Sequence, residues 1–227
     1  MAEETFAVRL TEAQVDQTQL NHSQWQLKVK RLIDVIVATL TFILLIPVFA
    51  LAAILIKLET PGPAFYTDRR LGKGGRIFNC LKFRTMFADS EAILQAYLES
   101  HPEAREQWAL YKKLSDDPRV TRIGRWLRKT TLDEFPQVVN IIRGEMSILG
   151  PRPFMLREAG ELEPYAAELL SMPPGMAGMW IAHGRNRLTF EQRIHLEREY
   201  VRRWSLRLDF VLFWKSFIAL VTARGAL

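Results

Sequence analysis

VIVATLTFILLIPVFALAAILI, residues 35–56, is a run of twenty-two residues without a charge. About twenty apolar residues cross a bilayer as a helix, so the length permits a span. Two details favour another path. Pro47 falls just past the middle, where it removes one backbone hydrogen bond and crowds the preceding turn, so a bend is expected there. Lys28, Lys30 and Arg31 precede the run and Lys57, Arg69 and Arg70 follow it, so the positive-inside rule assigns no direction. Both details suit a helix that enters one leaflet, turns at Pro47 and leaves on the same face. A kinked spanning helix is the competing reading, since such kinks are tolerated in membrane spans.

Upstream, residues 1–27 are polar, carry Glu3, Glu4, Glu12 and Asp16, and show no sustained apolar period, which reads as a loose N-terminal arm. They do not form a secretory signal, because the apolar run begins too late and no small-residue cleavage site follows it. With 227 residues the chain can hold one domain of ordinary size. Thirty-one basic against twenty-five acidic residues give a net charge of +6, which suits an anionic partner: nucleic acid, an anionic membrane surface or a phosphorylated small molecule. The uninterrupted apolar run argues against nucleic acid. A single cysteine, Cys80, excludes an internal disulfide framework and lies in an apolar run that suggests a buried thiol. Four scattered histidines form no zinc-type cluster.

Downstream, Thr60-Pro-Gly-Pro63 ends the apolar segment sharply. AFYTDRR and RIFNCLKFRTM are aromatic and β-branched runs separated by Leu71–Gly75, the pattern of a β-hairpin. Its second arm brings Lys82 and Arg84 to one side of a strand, either to hold a phosphate or as a solvated edge. Residues 89–113 read as helical scaffold with a break at His101-Pro102.

RIGRWLRKTTLDEFPQVVNIIRGEMSILGPRP, residues 122–153, concentrates the chemistry. A basic helix with Arg122, Arg125, Arg128 and Lys129 leads into the adjacent carboxylates Asp133 and Glu134, and Gly150-Pro151-Arg152-Pro153 closes the stretch. Phosphate chemistry uses all three parts: cations neutralise phosphoryl oxygens, a carboxylate serves as nucleophile or metal ligand, and proline-fixed turns hold a further arginine. Thr131-Leu132-Asp133-Glu134 also reads as a capping box at the start of a helix that ends at Gly144. Further on, residues 158–171 look like a surface helix. The glycine-punctuated stretch Pro173–Asn186 allows backbone to approach a ligand closely, or is a plain structural loop. From Phe190 to Thr222, arginines interleave with Leu, Tyr, Phe and Trp, suiting either interfacial or core helices.

Taken together, KRLIDVIVATLTFILLIPVF, FYTDRRLGKGGRIFNCLKFRTM, DPRVTRIGRWLRKTTLDEFPQVVNIIRGEMSILGPRP and PPGMAGMWIAHGRN resemble the successive signatures of the bacterial sugar transferases, the monotopic polyprenyl-phosphate phosphoglycosyl transferases. The resemblance covers about residues 28–227 and is strongest to the small exopolysaccharide-priming members. It implies transfer of a sugar 1-phosphate from a UDP-sugar, UDP-galactose or UDP-glucose being favoured, to undecaprenyl phosphate, with release of UMP. By residue-to-residue carry-over, Asp133 is the nucleophile that forms a covalent phosphosugar intermediate. Glu134 assists it, the pair supports Mg²⁺, and Lys82, Arg84, Arg128, Arg152 and Arg185 match residues near the phosphates. Pro47 occupies the position of the helix break, although Ile46 stands where many members have serine. The loop departs further: Pro173, Ala177 and Ile181 replace the arginine, threonine and glutamine of the usual pattern, which puts substrate choice in question. A non-catalytic membrane-attached partner in a polysaccharide assembly complex is the alternative implied by those departures.

The expected fold is therefore α+β and mainly helical, with a proline-broken re-entrant membrane helix, a β-hairpin and interfacial amphipathic helices around a small catalytic domain. The expected divisions are an arm at 1–27, the membrane helix at 28–59 and a cytoplasmic domain at 60–227. The expected location is the bacterial inner membrane, with the catalytic part on the cytoplasmic face.

Overall fold

A computed structural model describes residues 22–111, 114–183 and 188–221. The N-terminal arm up to residue 21 lies outside the described residues, as does Arg185. The fold is mainly helical, with one long apolar helix near the N-terminus and two small two-stranded sheets. By internal packing the chain divides into two units. One holds residues up to Leu45, Thr67–Leu81 and Pro136 onward; the other holds Ile46–Tyr66 and Lys82–Phe135.

Helix α1 runs from Gln24 to Glu59 without interruption and contains Pro47. The expectation of a proline-broken helix is corrected to that extent. A single proline forfeits one backbone hydrogen bond, and the apolar residues on both sides are strong enough helix formers to continue the helix through it. In its first half Lys30, Asp34 and Ala38 are buried at helical spacing. In its second half Phe49, Ala52 and Ile56 are buried. Leu40, Ile43, Leu44, Ile46, Leu51 and Ile54 are exposed, so α1 presents large apolar side chains outward along most of its length.

Strands β1 (Phe65–Leu71) and β2 (Ile77–Phe83) form the expected hairpin, closed by a short turn at Lys73–Gly75. Cys80 is buried on β2. Helices α2 (Ser90–Ser100) and α3 (Pro102–Tyr111) meet at His101, where the following proline enforces the break read from the sequence. Helix α4 spans Arg122–Thr130 and helix α5 Val138–Arg143. Gly144 ends α5 in the left-handed conformation with φ 87°, a conformation glycine adopts without a side-chain penalty.

In the unit that holds most of the C-terminal half, Asn140 of α5 is fully buried and accepts from the Leu81 N–H at 3.0 Å, while its amide donates to Asn79 O at 2.8 Å. One asparagine thereby satisfies the backbone of β2 at two points. Strand β3 (Ser147–Leu149) pairs in parallel with β4 (Gly175–Ala177), in the register Ser147 to Gly175 and Leu149 to Ala177. A Cβ on Gly175 would stand 2.1 Å from Gly150 N, so the glycines of the 173–178 stretch let backbone approach the chain's own Gly150 turn.

Residues 158–171, expected as one surface helix, instead form short turns including α6 (Ala159–Leu162) and α7 (Ala166–Leu169). Leu162, Ala166, Leu169 and Leu170 are buried with Phe154 and Ile194 in a core cluster. Pro164, which has no N–H to continue the helix, lies in the 3-10 turn Glu163–Tyr165 between the two pieces, and the apolar spacing that looked like a surface helix serves a core. Helix α8 (Met179–Ala182) is followed by α9 (Phe190–Arg203) and α10 (Leu206–Val221). Tyr200, Val201, Trp204 and Leu212 are buried in a second core cluster. Phe210, Phe213, Trp214, Phe217 and Ile218 are exposed, so α10 is a core helix on one face and an apolar surface on the other.

A buried polar network anchors the first turns of α1 in this unit. Lys30 Nζ donates to Leu149 O at 2.8 Å and to Asp209 Oδ2 at 2.7 Å. Asp209 also accepts from the Tyr200 hydroxyl at 2.8 Å and from Trp204 Nε1 at 3.1 Å. Asp34 accepts from Ser147 Oγ at 2.7 Å and the Ile148 N–H at 3.0 Å. Arg31 caps the carbonyls of Ile141 and Ile142 at the end of α5. Lys30 and Asp209 pair their charges, and Asp34 and Arg31 are satisfied by hydrogen bonds to neutral groups, as burial requires.

Candidate functional site

The basic helix α4 is held at its start by two caps. Thr121 Oγ1 accepts from the Gly124 N–H at 2.8 Å, and the Glu59 carboxylate accepts from the N–H groups of Arg122 and Ile123 at 2.7 and 3.0 Å. Glu59 ends α1, so the apolar helix supplies an anionic cap to the helix that carries Arg128. The segment after β2 is drawn against α4: a Cβ on Gly124 would stand 2.1 Å from Thr85 O, which itself accepts from the Thr121 N–H at 3.1 Å. Any larger residue at position 124 would force the two backbones apart. Their proximity lets the Arg128 Nε donate to Thr85 Oγ1 at 3.0 Å.

Helix α4 stops at Thr131, which adopts φ 60° and donates its backbone N–H to Arg128 O and Leu127 O. A threonine in the left-handed region is strained, on the order of 1–3 kcal/mol, and such strain concentrates at functional sites. This corrects the capping-box reading: Thr131 closes the preceding helix, and Asp133 and Glu134 lie in a tight 3-10 turn, Leu132–Gln137, that precedes α5. Asp133 and Glu134 are both half-buried.

Lys82, at the end of β2, donates to Glu134 Oε1 at 2.7 Å. Burial, and next the negative charge of Glu134, push the Asp133 carboxyl up to about 6, while Lys82 and Arg128 oppose the rise. The unit thus holds two adjacent carboxylates of unequal character. Glu134 is tethered to an ammonium, whereas Asp133 titrates close to neutrality, with Arg128 near enough to favour its charged form. A carboxylate poised in that range, beside two cations that can receive an anion, can attack a phosphorus centre or bind a metal.

Of the other residues singled out in the sequence, Arg84 lies in the same unit with its fork turned to the end of α1. It donates to Pro61 O at 2.6 Å and to Thr60 O and Oγ1 at 2.8 and 2.7 Å. Arg152 lies in the other unit, where its guanidinium is 3.4 Å from Glu158. The three departures in the 173–181 stretch have packing roles there. Ala177 O accepts from the Gly150 N–H at 3.0 Å, Ile181 is buried, and Pro173 lies against Gly150. His183 is exposed, with its Nδ1 2.9 Å from Met179 O. Glu59, Thr85 and Gly124 were not identified from the sequence. A carboxylate just before Pro-Gly-Pro and a glycine inside a helix four residues before Arg128 are the signals that could have found them.

Among the described residues no three acidic, histidine or cysteine side chains gather as a metal cluster. Asp133 and Glu134 nevertheless fit Mg²⁺, which commonly takes only one or two protein carboxylates and completes its shell with water and substrate phosphate oxygens.

Residues 25–223 match the family described as bacterial sugar transferase. Among curated relatives, the exopolysaccharide production protein ExoY of Sinorhizobium fredii (strain NBRC 101917 / NGR234) is 46% identical over 198 residues, 87% of each chain. The UDP-glucose:undecaprenyl-phosphate glucose-1-phosphate transferase of Caulobacter vibrioides (strain ATCC 19089 / CIP 103742 / CB 15) is 35% identical over 208 residues, 87% of this chain and 71% of that one. The undecaprenyl-phosphate galactose phosphotransferase of Salmonella typhimurium (strain LT2) is 39% identical over 168 residues, which cover 73% of this chain and 35% of that longer protein.

Proposed function

Since this chain belongs to the bacterial sugar transferase family, we propose that it transfers a sugar 1-phosphate from a UDP-sugar to undecaprenyl phosphate, the first membrane step of an exopolysaccharide or related glycan. The relatives named for galactose and glucose phosphotransfer favour UDP-galactose or UDP-glucose as donor. The observation that carries the reading is geometric: Asp133 and Glu134 share one tight turn, Glu134 is paired with Lys82 at 2.7 Å, and Arg128 is held by Thr85 at 3.0 Å on the helix that leads into that turn.

In the proposed reaction an Asp133 oxygen attacks the β-phosphorus of the UDP-sugar. The new aspartyl O–P bond forms as the bond from that phosphorus to the bridging oxygen breaks, and the electron pair leaves with UMP. A phosphate oxygen of undecaprenyl phosphate then attacks the same phosphorus, the aspartyl bond breaks, the Asp133 carboxylate is regenerated, and undecaprenyl-diphospho-sugar departs. Splitting the transfer this way replaces one difficult displacement by two. Arg128, fixed by Thr85, neutralises phosphoryl oxygens as negative charge approaches Asp133. Lys82 holds Glu134 beside the nucleophile, where it accepts a proton from the incoming lipid phosphate. Mg²⁺ held by Asp133 and Glu134 would supply further charge neutralisation at the phosphates. The resemblance assigns Arg84, Arg152 and Arg185 to phosphate binding as well, and Arg84 secures the end of α1. UMP release from a panel of UDP-sugars, with purified protein, Mg²⁺ and undecaprenyl phosphate, tests the reading. Release with one sugar is the expected result, and no release with any of them from folded, membrane-bound protein would overturn it.

The protonation of Asp133 sets a pH dependence. Its carboxyl is neutral and non-nucleophilic below about 6, so kcat/KM falls as pH drops through that value. Because the Glu134 charge raises the Asp133 carboxyl and the Lys82 charge lowers it, Glu134→Gln should move the acid limb to lower pH and Lys82→Met to higher pH. Identical limbs in all three proteins would separate the limb from Asp133.

The exposed apolar side chains of α1 support insertion into a membrane, and the basic residues at both ends of its apolar run favour a re-entrant path within one leaflet, with the catalytic part on the cytoplasmic face. Cysteines introduced singly at the exposed Lys28 and Lys57, in a Cys80→Ala background, should both label from the cytoplasmic side. Labelling of either from the opposite side would restore the spanning helix.

A further inference from the structure

Glu197, in the middle of α9, is 0% exposed, and neither of its carboxyl oxygens has a hydrogen-bond partner at full geometry. The backbone N–H groups of Arg152 and Trp180 lie nearest, and the cations that favour its charged form are Arg152 and Arg193. Arg193, one helical turn earlier, has its buried Nε without a partner. A buried carboxyl whose charge two nearby guanidinium groups favour, yet which neither of them bonds, is costly to maintain.

The remaining charges near α9 are engaged elsewhere. Glu168 of α7 accepts from Arg198 and Arg202. The Tyr200 hydroxyl donates to Asp209. Arg70 of β1 donates to Asp68 and to Pro153 O. Glu158 stands 3.4 Å from Arg152. Helix α8 contributes no charged side chain. Arg152 is therefore the group through which Glu197 can act outside its own helix.

We infer that Glu197 is a positioning residue for Arg152: from behind the Gly150–Pro153 turn, its carboxyl competes with a bound anionic substrate for the Arg152 guanidinium. The inference rests on the proposed role of Arg152 as a phosphate clamp. While Glu197 is neutral, Arg152 faces the phosphate. When it ionises, a full charge on a fully buried side chain draws Arg152 and Arg193 inward. Burial pushes the carboxyl up to about 8, against the opposing pull of the nearby amides and arginines, so the exchange falls just above neutral pH. Binding of an anion near that pH then takes up a proton at Glu197.

The test uses the full-length protein in lipid nanodiscs with UDP as the probe, titrated calorimetrically from about pH 7 to about pH 9.5. UDP affinity of the unaltered protein should fall several-fold across the range, and Glu197→Gln should bind at every pH as the unaltered protein does at the lower end. Parallel decline in both proteins would overturn the inference. Where the variant fails to fold, the unaltered protein alone decides: titrations near pH 8 in buffers of different ionisation enthalpy should report net proton uptake, and its absence overturns the inference. Because neither readout needs turnover, absence of UMP release counts only against the transferase proposal. UDP affinity unchanged by Arg152→Gln counts against the clamp role on which the inference depends.

Discussion

Replacing Asp133 with asparagine should abolish the phosphosugar adduct and lower UMP release by at least about 10³-fold. An amide cannot displace UMP from the β-phosphorus, and no other carboxylate stands ready: Glu134, the adjacent one, is tied to Lys82 at 2.7 Å. The same substitution should make the protein more stable. The Asp133 carboxyl is raised from an ordinary 3.8 to about 6, so the folded state holds its proton more tightly than the unfolded chain, and stability falls as pH rises through that interval. Asparagine escapes this cost. At neutral pH the gain should be on the order of 1 kcal/mol after allowing for partial solvent exposure, shrinking to nothing at acid pH. Intact-mass measurement after incubation with UDP-sugar checks the first part, and thermal unfolding across pH checks the second. An adduct persisting in the variant would remove Asp133 from the role, while a variant no more stable than the parent at neutral pH would mean that the carboxyl is not held under electrostatic strain.

Lys30→Met should be the most destabilising single change outside the site. It strips the ammonium from Asp209 and from Leu149 O, leaving a buried carboxylate with only the Tyr200 hydroxyl and Trp204 Nε1 as donors. Breaking one side of a buried pair costs about 3–5 kcal/mol, mainly through the charge left behind. If that is the mechanism, Asp209→Asn added to Lys30→Met should recover a large part of the loss, because asparagine carries no charge: its oxygen accepts from Trp204 Nε1 and its amide donates to the Tyr200 hydroxyl, whose own proton goes to Leu149 O. Denaturant unfolding of the single and double variants in one lipid or detergent system reads the coupling. Independent, additive losses would show that the ion pair is not what holds the first turns of α1.

The hairpin, the break at His101-Pro102 and the end of α5 at Gly144 were legible because proline and glycine act through their own backbone geometry. Asp133, Glu134 and Lys82 were singled out by residue type, and they fall in one unit of the fold. What misled was pattern without tertiary context. Thr131 to Glu134 has the letters of a capping box, yet α4 ends in a left-handed threonine. Residues 158–171 have helical spacing, yet a break at Pro164 leaves them as short core-facing pieces. The glycines at 175 and 178 were read for ligand approach, and they accommodate the chain's own Gly150 turn. Glu59 and Glu197 were passed over because a cap made by another helix, and a carboxyl buried without donors, depend on contacts far apart in sequence. Arg84 was named from its neighbours in sequence for a phosphate, and its hydrogen bonds run to Thr60 and Pro61.

The charged root of α1 also bears on how the enzyme meets its bilayer. A simple apolar helix adjusts to a thicker or thinner membrane by sliding or tilting. Here Asp34 is bonded to Ser147 and Ile148, and Arg31 to the carbonyls of Ile141 and Ile142, so the first half of the helix moves only with the folded body to which it is fastened. With α1 inserted in a bilayer as proposed, hydrophobic mismatch would then be taken up by deformation of the surrounding lipid, and acyl-chain length would become a variable that tunes the enzyme's working height.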